Sequence, residues 1–191
     1  FRIFSLLFFL LITIDDCDAQ SSSNFYGSFK SNGVYYQDNQ DENYKEKFAS
    51  NNYLNFKYIL NSNWIFEAQA ESYSPTRLQN YSDSFEKTHL STLSVNYSKK
   101  NLGFTIGSIY EQFGSGLALR TWEDRQLGIN NSIWGLRSTY SSEKVTLKLL
   151  AGQQKKGSQI GTGKILGFDS EFIVLNSDDV YQNLIIGLSY V

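Results

Sequence analysis

The 191-residue sequence contains no methionine, one cysteine (Cys17), one proline (Pro75) and one histidine (His89). Lacking an initiating Met and starting at Phe1, it reads as truncated at its N-terminus. A lone cysteine excludes an internal disulfide framework and a cysteine-based zinc site. A lone histidine likewise leaves no histidine metal cluster, and no serine sits in the Gly-x-Ser-x-Gly elbow of a hydrolase. Net charge is small, 17 bases against 19 acids, so the basic stripe that displaces phosphate counterions from nucleic acid is missing. No cofactor, metal or nucleic-acid partner is expected, and nothing marks the chain as an enzyme.

No apolar run reaches the roughly 20 residues that a transmembrane helix requires. The longest such segment is Ile3 to Ile14, IFSLLFFLLITI, after Arg2 and before Asp15-Asp16-Cys17-Asp18-Ala19-Gln20. Twelve residues suit the core of an export signal, with small Cys17 and Ala19 at positions −3 and −1 of a cleavage after Ala19. Residues 1–19 are therefore read as a signal peptide, and 20–191 as the mature segment. Cleavage removes three acids and one base, leaving 16 of each, and it removes the cysteine.

A sustained helical stripe is also missing. What recurs is alternation with period two, the pattern of strands with one apolar and one polar face. It appears in Tyr53–Leu60, Trp64–Glu71, Leu93–Ser98, Leu102–Gly107, Trp134–Tyr140, Val145–Gly152 and Asn183–Tyr190, less cleanly in Phe25–Tyr36, and most weakly in Ile165–Leu175. Short turn signals at Asn61–Asn63, Lys99–Asn101 and Ser141–Lys144 alternate with longer polar stretches at 37–52, 74–87, 113–131 and 153–164. Pro75 lies in one of these stretches, where no ladder hydrogen bond is lost to it.

Alternation suits both a secreted sandwich and a membrane barrel. Two features favour the barrel. Aromatics gather near strand ends (Tyr35, Tyr36, Trp64, Tyr97, Tyr110, Tyr140, Tyr190), as an interfacial girdle requires. The second face carries Lys57, Glu67, Glu71, Arg137 and Lys148, which suits a lumen. The expected fold is all-β: an antiparallel up-and-down transmembrane β-barrel, incomplete, with eight or nine strands present. His89, at the start of a strand, reads as a surface or girdle residue.

The most unusual segment is Tyr110–Ser132, YEQFGSGLALRTWEDRQLGINNS. Gly114 and Gly116 permit a sharp turn, while Glu111, Arg120, Glu123, Asp124 and Arg125 can form an ion-pair network inside the lumen. Such a network either braces the wall or forms a constriction that selects solutes.

The phrases YEQFGSGLALRTWEDRQLGINNSIWG and NFYGSFKSNGVYYQD resemble an uncharacterised family of large outer-membrane β-barrel proteins from Bacteroidota. The resemblance implies a bacterial outer-membrane location and a barrel fold but no reaction. Family members are longer and end on a closing strand, so Val191 reads as a truncation point. The functions it leaves open are a porin-like or ligand-conducting channel, or a non-conducting structural or assembly component with a plugged lumen. An enzyme with its catalytic residues elsewhere is a third. The lipid bilayer is the expected partner, with further outer-membrane proteins as candidates.

Overall fold

The computed structural model describes residues 23–37, 46–78, 87–125, 127–175 and 184–191. The expected export signal, residues 1–19 with Cys17 and Ala19, lies outside them. The described chain is all-β and contains no helix.

Eleven strands follow one another: β1 (Asn24–Tyr35), β2 (Phe48–Leu60), β3 (Trp64–Tyr73), β4 (Thr88–Lys99), β5 (Leu102–Ile109), the short β6 (Glu123–Asp124) and β7 (Ile129–Asn130), then β8 (Ile133–Ser141), β9 (Val145–Lys156), β10 (Gln159–Leu175) and β11 (Leu184–Tyr190). Nine of them form one sheet in the order β1-β2-β3-β4-β5-β8-β9-β10-β11, every neighbouring pair antiparallel. This is the expected up-and-down meander of eight or nine strands. It is not closed: β1 and β11 stand at opposite edges and do not pair. The other two strands pair only with each other.

Cross-strand register shows why alternation sorts the faces. Reading across the sheet, Phe25, Tyr58, Phe66, Val95, Ile106, Leu136, Ala151 and Leu166 are successive partners, one per strand. The row one residue away runs Tyr26, Lys57, Glu67, Ser94, Gly107, Gly135, Gly152 and Ile165. The first row is apolar throughout. The second is mostly polar or glycine.

The polar row lies on the concave side. Lys155 of β9 donates to the Ser91 carbonyl of β4 at 2.6 Å, although β5 and β8 stand between them. In a flat sheet three strand spacings of about 4.8 Å would put that carbonyl beyond the reach of a lysine. The sheet therefore curls. Glycine lets it bend: a Cβ at Gly135 would lie 2.0 Å from the Ala151 carbonyl oxygen, and Gly107 holds φ +106°. Only residues without a side chain tolerate strands this close.

One expectation is corrected and the weakest strand expectation is borne out. Residues 153–164 were expected as a polar loop but continue β9 and β10 as a hairpin turned at Gly157-Ser158. The weakly patterned Ile165–Leu175 is the inner part of β10, a strand of 17 residues.

Candidate functional site

The concave face is filled by the segment that links β5 to β8. It forms two small hairpins. In the first, Gln112 and Arg120 pair as an isolated bridge, Thr121 donates its amide to the Glu111 carbonyl (2.9 Å) and Phe113 to that of Leu119 (3.0 Å). Gly114 (φ +48°) and Gly116 (φ +86°) make its tip, as their place in the sequence predicted. In the second hairpin β6 pairs with β7, the Trp122 amide donates to Asn131 Oδ1 (2.6 Å) and the Leu127 amide to Asp124 Oδ1 (3.1 Å).

Phe113 anchors the first hairpin. It is fully buried with Ile109, Leu119, Ile133 and Leu150, with Ile165 packed alongside. Gly167 makes room for it, since a Cβ there would come within 2.7 Å of the Phe113 ring. This is an apolar core of residue-cluster size inside an otherwise polar interior.

Around it the five expected charges do not form one network. Glu111 stands apart from the others and bonds to the wall: Arg137 of β8 donates to its Oε2 at 2.7 Å and Lys148 of β9 to its Oε1 at 3.1 Å. Lys148 also pairs with Asp169 of β10 at 3.6 Å, and Arg137 donates to Thr105 of β5 at 2.8 Å. Burial would raise the Glu111 carboxyl, but Arg137 and Lys148 together hold it below the ordinary carboxylate range.

Glu123 and Arg125 form a second cluster with β2, β3 and β4. Arg125 pairs with Glu123 (3.7 Å), donates to Asn55 (3.3 Å) and Gln69, and lies over the Tyr53 ring at 5.0 Å. Gln69 donates to both Glu123 (3.0 Å) and Glu71 (2.6 Å), and Tyr73 donates to Glu71. Burial raises Glu123 above the usual carboxylate range; Arg125 offsets only part of this and Glu71 adds to it. The remaining two charges play other parts. Arg120 lies over the exposed Trp122 at 5.4 Å, and Asp124 caps the turn at Leu127.

Two residues expected at the girdle point inward. The His89 side chain is only 5% exposed, 3.8 Å from Glu71 Oε2 and with its ring 5.9 Å from that of Tyr73. Tyr110 accepts from Asn130 (3.0 Å) and shares a hydrogen bond with Thr92 (3.2 Å); burial raises its hydroxyl above the usual range, helped by Glu123 nearby. Asp169 was missed altogether, because the weak pattern of its strand gave no face to assign it to.

The segment thus touches nearly the whole sheet, from Asn55 on β2 to Ser189 on β11, whose Oγ lies beside Gly114. Chemically this is an interior of paired charges and amides. Among the described residues no group of three or more metal-ligating side chains converges. No curated protein and no solved structure matches the chain significantly. Its whole length, residues 1–191, matches one family, and the chain belongs to it: DUF6029, a family of unknown function.

Proposed function

We propose that this chain forms wall strands of a bacterial outer-membrane β-barrel whose interior is occupied by the 110–132 segment, and that it acts as a non-conducting structural or assembly component. The observation that carries this reading is inverted burial. Among the described residues, fourteen buried side chains are polar or charged and only eight are apolar. Meanwhile Phe29, Leu54, Leu93, Phe104, Ile106, Leu136, Leu149, Leu166 and Leu188 are exposed. Left in water, each such side chain forfeits part of the roughly 1.5–3 kcal/mol that full burial provides, and a water-soluble sandwich would turn them inward. Hydrocarbon reverses that preference, and it demands that polar groups find partners inside.

Aromatic placement supports the same reading. Trp64, at the tight-turn end of β3, packs on Tyr97 at 4.6 Å between ring centroids, and Tyr140 is exposed near the same end of β8. Such a row suits a membrane interface. The resemblance of Tyr110–Gly135 to outer-membrane barrels of Bacteroidota agrees with it.

Plugging is preferred to conduction because the charges that would line a pore are spent on one another and on the wall. Planar-bilayer recording of the full-length protein tests this. The native protein should show no discrete conductance steps, and replacing residues 113–119 by two glycines should create them. Steps in the native protein would instead establish the channel reading. Recovery of the mature protein from culture supernatant rather than the membrane fraction would overturn the membrane placement.

A further inference from the structure

A cavity lies at the end of the sheet away from the tight turns, between the second hairpin of the plug and the tall β9–β10 hairpin. It measures about 450 Å³ and is walled by Asn130, Asn131, Gln154, Lys155, Lys156 and Gly163 among others. That volume falls in the range of small-molecule sites, about 300–1,000 Å³. Both charged side chains in its walls are lysines, and no carboxylate is among them.

The two lysines differ. Lys155 is buried, tied to the Ser91 carbonyl at 2.6 Å, and its charge is felt by Glu71 and Glu123 behind it. Lys156 is exposed and makes no ion pair among the described residues. Opposite them β10 bulges: three residues, Gly161-Thr162-Gly163, stand between the pairs Ile160↔Lys155 and Lys164↔Gln153, facing Gln154 alone. A bulge takes backbone groups out of the ladder, and glycine leaves those groups open to close approach. Exposed Gln154 adds an amide with both donors and an acceptor and Asn131 adds its Nδ2 donors, while Asn130 and the Asn131 Oδ1 are already bonded within the segment.

We infer that this cavity binds a small, soluble oxyanion carrying hydroxyl groups, such as a sugar bearing a phosphate or a carboxylate. A cation on a flexible stem with exposed backbone and amide donors suits an oxyanion. The Gln154 amide oxygen beside them suits a hydroxyl. The ligand is soluble rather than a lipid headgroup because one wall is the plug itself, Asn130 and Asn131, which lies on the concave side away from the apolar face. The site does not depend on the membrane reading.

Calorimetric titration of the purified full chain with glucose 6-phosphate and glucuronate, against uncharged glucose, tests the inference. Saturable binding of at least one anionic sugar is expected, with glucose at least tenfold weaker. Lys156→Gln, at an exposed position, should weaken the anion at least tenfold. Gly163→Glu should do the same: a Cβ there meets nothing within 4 Å, so the change brings a carboxylate into the mouth without a clash. Absence of saturable binding by either anion, equal binding of glucose, or unchanged affinity in both variants would overturn the assignment.

Discussion

Replacing Glu111 by Gln should release the first plug hairpin while the sheet stays intact. Glu111 accepts charge-assisted hydrogen bonds from Arg137 at 2.7 Å and Lys148 at 3.1 Å, and its side chain is 10% exposed. Bonds to charged groups contribute about 1.5–3 kcal/mol each. Glutamine keeps one acceptor oxygen, Lys148 keeps Asp169 at 3.6 Å, and both cations retain 21–26% exposure to water. The net loss is then about 2–3 kcal/mol rather than the full value of a broken buried pair, about 3–5 kcal/mol. Opening of the hairpin rises about 30- to 150-fold, at tenfold for each 1.36 kcal/mol. Hydrogen exchange reads this directly at the Phe113 and Thr121 amides, which bond within the hairpin to Leu119 and Glu111. Adding Arg137→Gln should recover part of the loss, since one uncompensated cation disappears. Exchange at Phe113 and Thr121 that is unchanged, or that rises equally in β4 and β5, would refute the latch.

Other consequences can be checked alongside. Phe113→Ala removes the centre of the buried apolar cluster; it should cost about 3–5 kcal/mol and make the segment cleavable by protease at concentrations that leave the native protein whole. Gly135→Val should prevent the sheet from curling, because even a Cβ would overlap the Ala151 carbonyl; loss of the heat-resistant folded band in gels is the readout. Acid should act oppositely on the two hairpins. Glu111 is depressed, so its stabilisation is complete above the unfolded carboxyl value of about 4.3 and is lost as pH falls through its lower folded value. Glu123 is raised, so its contribution is complete below that value and is lost as pH rises through its higher folded one. Protection factors should therefore fall at Thr121 below about pH 4 while those around Glu123 increase on acidification from neutrality.

Much of this arrangement was legible in the residues because the sheet is a meander. With a tight turn at Asn61–Asn63, positions equidistant from it must pair, and Lys57 indeed faces Glu67 at 3.1 Å. Alternation likewise assigned Arg137 and Lys148 to the inner face. What it could not supply is which inner cation meets a residue of the plug, since Glu111 lies 26 and 37 positions from its two partners. His89 escaped because the register shifts between Gln69 and Ala70, next to its own pairing with Glu71. A bulge there resets the parity on which a face assignment depends. The β9–β10 hairpin escaped for a different reason. Gln153 to Lys164 is polar or glycine on both faces except for Ile160, so backbone pairing holds it without any alternation to read.

The central claim is that the sheet turns its apolar face to lipid and its polar face to a filled interior. Spin labels placed singly on neighbouring positions of the reconstituted protein test it most directly, with oxygen and a water-soluble nickel complex as competing relaxants. Labels at Phe104, Ile106, Leu136 and Leu149 should be relaxed by oxygen and shielded from nickel. Labels at Thr105, between Phe104 and Ile106 on β5, and at Thr139, three residues from Leu136 on β8 and so on its other face, should be shielded from oxygen. Nickel access at all four apolar positions, or no alternation between Phe104, Thr105 and Ile106, would contradict the account.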